Sequence, residues 1–170
     1  ANIDICSSTK GFGLGLSTAN ELVELNLGIM GVKSDLGEGT TFTFTIPKNE
    51  PPEVAKRFLG LLNRDNIGFL TLLTCQFDDD YDQGSEEEAE GLLRRLIRGN
   101  YLHFRVAPGR WVILVPEPAS EVEIFVDRAY RERELVNVNR PIGPLPRIRY
   151  TVDKSWVDHR SHQTEILMHL

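Results

Sequence analysis

The run Gly11-Phe12-Gly13-Leu14-Gly15-Leu16-Ser17 narrows the folds open to this chain more than any other stretch. Glycines at alternate positions let the backbone take open or left-handed conformations and approach a bound group closely. Helical spacing follows at once, in Leu16, Ala19, Leu22, Val23 and Asn26. The spacing predicts a helix over 17–25 with Ser17 as its N-cap. The free N–H groups of its first turn and the positive end of its dipole then face the loop, an arrangement that suits phosphate. A second motif lies some twenty residues on, Gly37-Glu38-Gly39-Thr40-Thr41-Phe42-Thr43-Phe44-Thr45-Ile46-Pro47. One fold has to account for both.

Gly28 is expected to end the helix, and residues 29–34 read as a short strand. In 40–46, Phe42, Phe44 and Ile46 alternate with Thr41, Thr43 and Thr45, the pattern of a half-buried strand with one apolar and one hydroxyl face. The first segment is therefore a helix followed by a two-stranded hairpin. Pro47-Lys48-Asn49-Glu50-Pro51-Pro52 marks the best domain boundary, because prolines at this density cannot continue a strand ladder. Val54, Ala55, Phe58, Leu59 and Leu62 then share one face of a connecting helix that reaches about Arg64. Its ordinary use is to pack on the following domain, with dimerisation along it as the alternative.

Beyond the linker, an apolar strand is expected over 67–77 and a helix over 85–98, opened by a capping box of Ser85 and Glu88. Two strands, 101–106 and 110–115, are joined by Ala107-Pro108-Gly109, a hairpin signal. A second helix covers 120–132, and after the loop carrying Pro141, Pro144 and Pro146 a last strand covers 148–152. The order β-α-β-β-α-β suggests a ferredoxin-like layer of two helices on an antiparallel sheet. The fold class is α+β: a partial sandwich element of helix plus hairpin, then this βαββαβ domain. The domains divide as 1–48, a linker and helix at 49–65, the α/β domain at 66–156, and a tail at 157–170 read as a terminal helix or a frayed end.

The net charge of −6 argues against a nucleic-acid surface as the main partner. No apolar run is long enough to cross a bilayer and no signal peptide opens the chain, which leads us to expect a cytoplasmic setting. Cys6 and Cys75 lack metal-ligand spacing and read as reduced thiols. Little precedes the glycine loop, and a phosphate-binding loop needs a supporting element beside it. The chain is thus expected to be a fragment of a longer protein.

Ser8-Thr9-Lys10-Gly11-Phe12-Gly13-Leu14-Gly15-Leu16-Ser17, then Glu21-Leu22-Val23-Glu24-Leu25, then Gly37-Glu38-Gly39-Thr40-Thr41-Phe42 resemble the C-terminal part of the ATP-binding domain of sensor histidine kinases. Those kinases belong to the wider GHKL ATPase superfamily, and the likeness covers about residues 7–47. The resemblance implies ATP with Mg²⁺ as cofactors of the parent protein. It assigns nucleotide contacts to the backbone around Gly11, Gly13, Leu14, Gly15 and Leu16, and places the hydroxyl of Thr40 near the adenine. It implies two-component signalling through a phosphorelay, with the protein's own kinase domain, a response regulator or a second subunit as partners. The family's upstream asparagine for Mg²⁺, its Asp-x-Gly-x-Gly stretch and its phosphoacceptor histidine context are all missing here; His103, His159, His162 and His169 have other surroundings. Phosphoryl transfer depends on positioning and on metal-assisted charge neutralisation. No catalytic residue or metal ligand is therefore assigned, and this fragment by itself is expected neither to hold ATP tightly nor to catalyse.

The second segment resembles a degenerate GGDEF-type diguanylate cyclase domain, through its element order and through His103-Phe104-Arg105-Val106-Ala107-Pro108-Gly109-Arg110-Trp111-Val112-Ile113-Leu114-Val115-Pro116. Active cyclases carry carboxylates on that hairpin, whereas Ala107-Pro108-Gly109-Arg110-Trp111 has none to hold Mg²⁺. The expectation is a non-catalytic regulatory or interaction domain. The alternative is a nucleotide or cyclic-dinucleotide sensor using Arg105, Arg110 and the acidic run Asp78-Asp79-Asp80-Tyr81-Asp82. That run otherwise reads as a solvated loop, Arg94, Arg95 and Arg98 as partners of a helix dipole, and Trp111 and Trp156 as packing residues.

Overall fold

The computed structural model describes residues 14–78, 82–97 and 99–170. Its packing falls into two units, Ala1–Arg57 and Phe58–Leu170. The first holds helix α1 (Leu14–Leu25) and the antiparallel hairpin of β1 (Ile29–Asp35) and β2 (Gly39–Thr45). The helix is already under way at Leu14, so Ser17 is not its N-cap. The Ser17 hydroxyl instead donates to the Leu14 carbonyl at 3.0 Å, a bond that a serine inside a helical turn makes to the preceding turn. At the other end Leu27 takes φ 56°, its N–H reaches the Glu24 carbonyl at 2.8 Å, and the Gly28 N–H reaches the Val23 carbonyl at 2.8 Å. This paired closure leaves the left-handed position to a leucine where glycine is usual.

The hairpin register runs from Ile29↔Thr45 to Asp35↔Gly39. Gly37 and Gly39 sit at φ 85° and 102°, which explains glycine on both sides of Glu38. The alternation is as expected, but the burial is not. Every residue of β2 is exposed, and α1 buries none of its residues. Among the described residues of the first unit, α1 alone packs on the hairpin, and Val32, Phe42 and Phe44 are 66%, 50% and 66% exposed.

Helix α2 (Pro51–Arg64) begins inside the stretch expected to be linker. Pro51 and Pro52 occupy its first turn, where a missing N–H costs nothing and the fixed φ favours the helix. From Phe58 onward α2 belongs to the second unit, and Phe58, Leu59 and Leu62 are buried. That unit continues as β3 (Leu70–Phe77), α3 (Gln83–Leu96), β4 (Leu102–Ala107), β5 (Arg110–Val115), α4 (Ala119–Val138) and β6 (Ile148–Trp156). A 3₁₀ turn (His159–His162) and α5 (Gln163–Met168) follow. The sheet order is β4-β5-β3-β6, and every neighbouring pair is antiparallel.

One face of this sheet packs Leu73, Cys75, Phe77, Trp111, Ile113 and Val115 against Ala89, Leu92 and Leu93 of α3 and Val122 and Phe125 of α4. Leu70, Leu72, Val112 and Leu114 are buried as well, although none belongs to that cluster. The other buried apolar residues of the unit's helices, among those described, are Phe58, Leu59 and Leu62 of α2, Ala129 of α4 and Ile166 of α5. The tail is not frayed. His159 is fully buried, its N–H bonds the Gly68 carbonyl at 3.1 Å, and its Nε2 lies 2.9 Å from the Ile67 carbonyl. A carbonyl only accepts, so Nε2 carries the hydrogen.

Candidate functional site

Of the expected nucleotide contacts, Gly11 and Gly13 lie outside the described residues. Leu14, Gly15 and Leu16 form the first turn of α1. Thr40 sits at the turn end of β2 opposite Ser34, and the two hydroxyls bond at 2.8 Å. Between α1 and the hairpin lies an open cavity of about 390 Å³, lined by Leu16, Ser17, Asn20, Met30, Gly31, Val32 and Phe42. Leu16 reaches it, and Thr40 is not part of its lining. No lining residue carries a charge, and no group of metal-ligating side chains occurs among the described residues.

Residues 4–50 match the family described as histidine kinase-, DNA gyrase B-, and HSP90-like ATPase. Similar curated proteins are adaptive-response sensory kinases named SasA. That of Synechococcus elongatus is 46% identical over 41 residues, which is 24% of this chain and 11% of the relative. Those of Prochlorococcus marinus subsp. pastoris and Parasynechococcus marenigrum are 49% and 51% identical over 39 residues each, 23% of this chain and 10% of the relative. The likeness to histidine-kinase-type ATPases is thus confined to residues 4–50. The match spans about a tenth of the length of these relatives, and no solved structure matches the chain. No helix among the described residues is long and apolar enough to cross a membrane.

The second candidate site, on the β4–β5 hairpin, is arranged differently from the expectation. Arg105 does not project freely toward a ligand. It donates to Glu86 at 2.7 Å and lies 3.5 Å from Glu90, both on α3. Glu86 also accepts the Gly109 N–H at 2.8 Å, so one carboxylate holds the hairpin arginine and the hairpin turn together. Arg110 is exposed at the start of β5. Trp111 is buried, with the Arg94 guanidinium 5.2 Å above its ring and His103 at 5.6 Å. Burial, and then the charge of Arg94, lowers the pKa of His103.

The helix α3 begins at Gln83 rather than Ser85, because Asp82 caps it. Its carboxylate accepts the Ser85 N–H at 2.9 Å and the Ser85 hydroxyl at 2.7 Å, and these bonds lower its pKa, the hydroxyl bond most. Glu88 is not a capping-box partner but pairs with Arg140 at 2.9 Å, which lowers its pKa in turn. Of the acidic run, Asp79, Asp80 and Tyr81 lie outside the described residues, as does Arg98. Cys75 is a free, buried thiol whose pKa burial pushes up, and Cys6 lies outside the described residues.

Two features escaped the sequence reading. The first is the anchoring of the tail through His159. The second is the way arginines hold the loop between α4 and β6. Arg133 donates to the Leu145 and Pro146 carbonyls at 2.6 and 2.8 Å, and Arg140 to the Gly143 carbonyl and the Ser85 hydroxyl. A lone arginine carries no periodic signal, so only its partners reveal such a role.

Proposed function

We propose that this chain is part of a sensor histidine kinase, with residues 1–48 as the C-terminal portion of its ATP-binding domain and a non-catalytic α/β regulatory or interaction domain following. The observation that carries the reading is the exposed apolar face of the first unit. Leu14, Leu22, Leu25, Val32, Phe42 and Phe44 are each at least half exposed, in a stretch matched to an ATPase family. A patch of this kind is normally covered, and the remainder of the ATP-binding domain is the fitting cover. On this reading ATP and Mg²⁺ serve the assembled domain, and a response regulator or second subunit receives the signal.

The antiparallel order β4-β5-β3-β6 with α3 and α4 packed on one face supports a ferredoxin-like second domain. The hairpin turn carries no carboxylate, and Arg105 is occupied by Glu86, which favours an interaction role over a cyclase or a hairpin nucleotide sensor. The deciding measurement compares the full-length parent polypeptide with this chain. The parent is expected to bind a fluorescent ATP analogue with Mg²⁺ and to autophosphorylate, while this chain is expected to do neither. A parent without either activity sinks the kinase reading.

A further inference from the structure

A groove of about 620 Å³ lies in the second unit, where the C-terminal half of α4, the start of β6 and the end of β3 meet. Its walls include Tyr130, Arg133, Asn137, Arg147 and Arg149. Asp78 and Glu134 also line it, so in a chain of net charge −6 its three arginines leave the groove a small positive excess.

The arginines divide into two roles. Arg133, only 12% exposed, spends its donors on Glu134 and on the Leu145 and Pro146 carbonyls. Arg140, 5% exposed, ties Gly143 to Ser85 and Glu88. The Leu145 N–H bonds the Asn137 side chain at 2.8 Å, and the Arg147 carbonyl accepts the Asp78 N–H at 2.9 Å. The irregular segment 142–147 is thus fixed at nearly every residue before it delivers Arg147 and Arg149. Such prior fixing removes much of the ordering cost of binding.

Arg147 and Arg149 flank Ile148, whose side chain is in the core, so both side chains leave the core. Arg147 is exposed, with no hydrogen-bond or ion-pair partner for its side chain among the described residues. Arg149 is 73% exposed and only 3.7 Å from Asp78, a pair of little energetic weight. Residues two apart in extended chain are about 6–7 Å apart, near enough for two long arginine side chains to converge on one diphosphate. The guanidinium forks match phosphate oxygens, and the half-exposed Tyr130 ring forms a further wall of the groove.

We propose that this groove binds a diphosphate group, free or carried by a nucleoside, through Arg147 and Arg149. The proposal stands apart from the kinase reading, because these residues lie in the second unit and the family match ends at residue 50.

Isothermal titration of the whole chain with inorganic pyrophosphate and with ADP tests it. Both exposed arginines can be replaced without opening the core, and circular dichroism checks that the variant is folded. The expected result is saturable binding that weakens at least tenfold in R147A/R149A and tightens in D78N, which loses the competing carboxylate. Tighter binding of ADP than of pyrophosphate, reduced by Y130A, assigns a nucleoside diphosphate; equal binding assigns the bare anion. No binding to the unsubstituted chain overturns the proposal. So does binding that survives in R147A/R149A, or that is lost instead in R110A.

Discussion

Glu165 gathers three donors at the end of the chain: the Lys154 ammonium, the Trp156 indole N–H at 3.2 Å and His162 Nδ1 at 3.0 Å. The Lys154 bond first, then those of Trp156 and His162, hold its carboxyl down to about 2. The sign follows from linkage. A depressed carboxylate pKa contributes stability that is fully present above the unfolded value of about 4.3 and is lost as pH falls toward the folded one. Between about pH 5 and 2 the contact of α5 with β6 is therefore expected to weaken, read as a change in Trp156 fluorescence. E165Q should abolish that acid-dependent component while leaving the signal near neutral pH independent of pH. Superimposable pH profiles for the two proteins count against this role. Glu86 also gathers more than one donor, since its single carboxylate joins α3 to the hairpin side chain and backbone.

Helix ends decide the behaviour of whole elements. α1 and α2 stop in the same way, with a left-handed residue followed by a bond back five residues. Leu27 at φ 56° precedes Gly28 N–H→Val23 carbonyl, and Asn66 at φ 57° precedes Ile67 N–H→Leu62 carbonyl. Asparagine tolerates that conformation and leucine does not. L27G is expected to stabilise the first unit by about 1 kcal/mol. The neighbouring glycine behaves oppositely. A Cβ at Gly28 meets the Thr45 carbonyl oxygen at 2.5 Å and Val23 at 2.7 Å, so G28A should cost about 1–3 kcal/mol. Urea unfolding of the two variants, followed by hairpin amide signals in NMR, reads both effects. A destabilised L27G alongside a neutral G28A contradicts this account of the helix end.

The two units differ in how much core each has, and this governs the molecule as a whole. The second buries fourteen residues in one cluster against α3 and α4, whereas in the first α1 buries none. Backbone amides of β3 and β5 are accordingly expected to exchange slowest, and those of β1 and β2 to exchange near the rate of free peptide. The dye ANS should bind the chain and lose much of its signal in F42T/F44T. Hairpin amides as protected as those of β3 are the contrary result.

Element order, the hairpin at 29–46 and the inward face of α2 were legible from residue types, because apolar periodicity and turn chemistry are local properties of the chain. So was the likeness of residues 4–50 to an ATPase family, carried by the spaced glycines. Burial was not legible in the first unit. The alternation in β2 reports which face is apolar, and only the presence of a covering layer decides whether that face is shielded. The roles of Arg105, Arg133, Arg140 and His159 were hidden for the same reason. Each depends on partners twelve to ninety-two residues away, brought close by the fold and not by spacing along the chain. Local pattern thus determined the elements and the likeness of the first segment to the ATPase family. Tertiary contact alone decided that Arg105 is held by Glu86 and that Arg147 and Arg149 are left to face the groove.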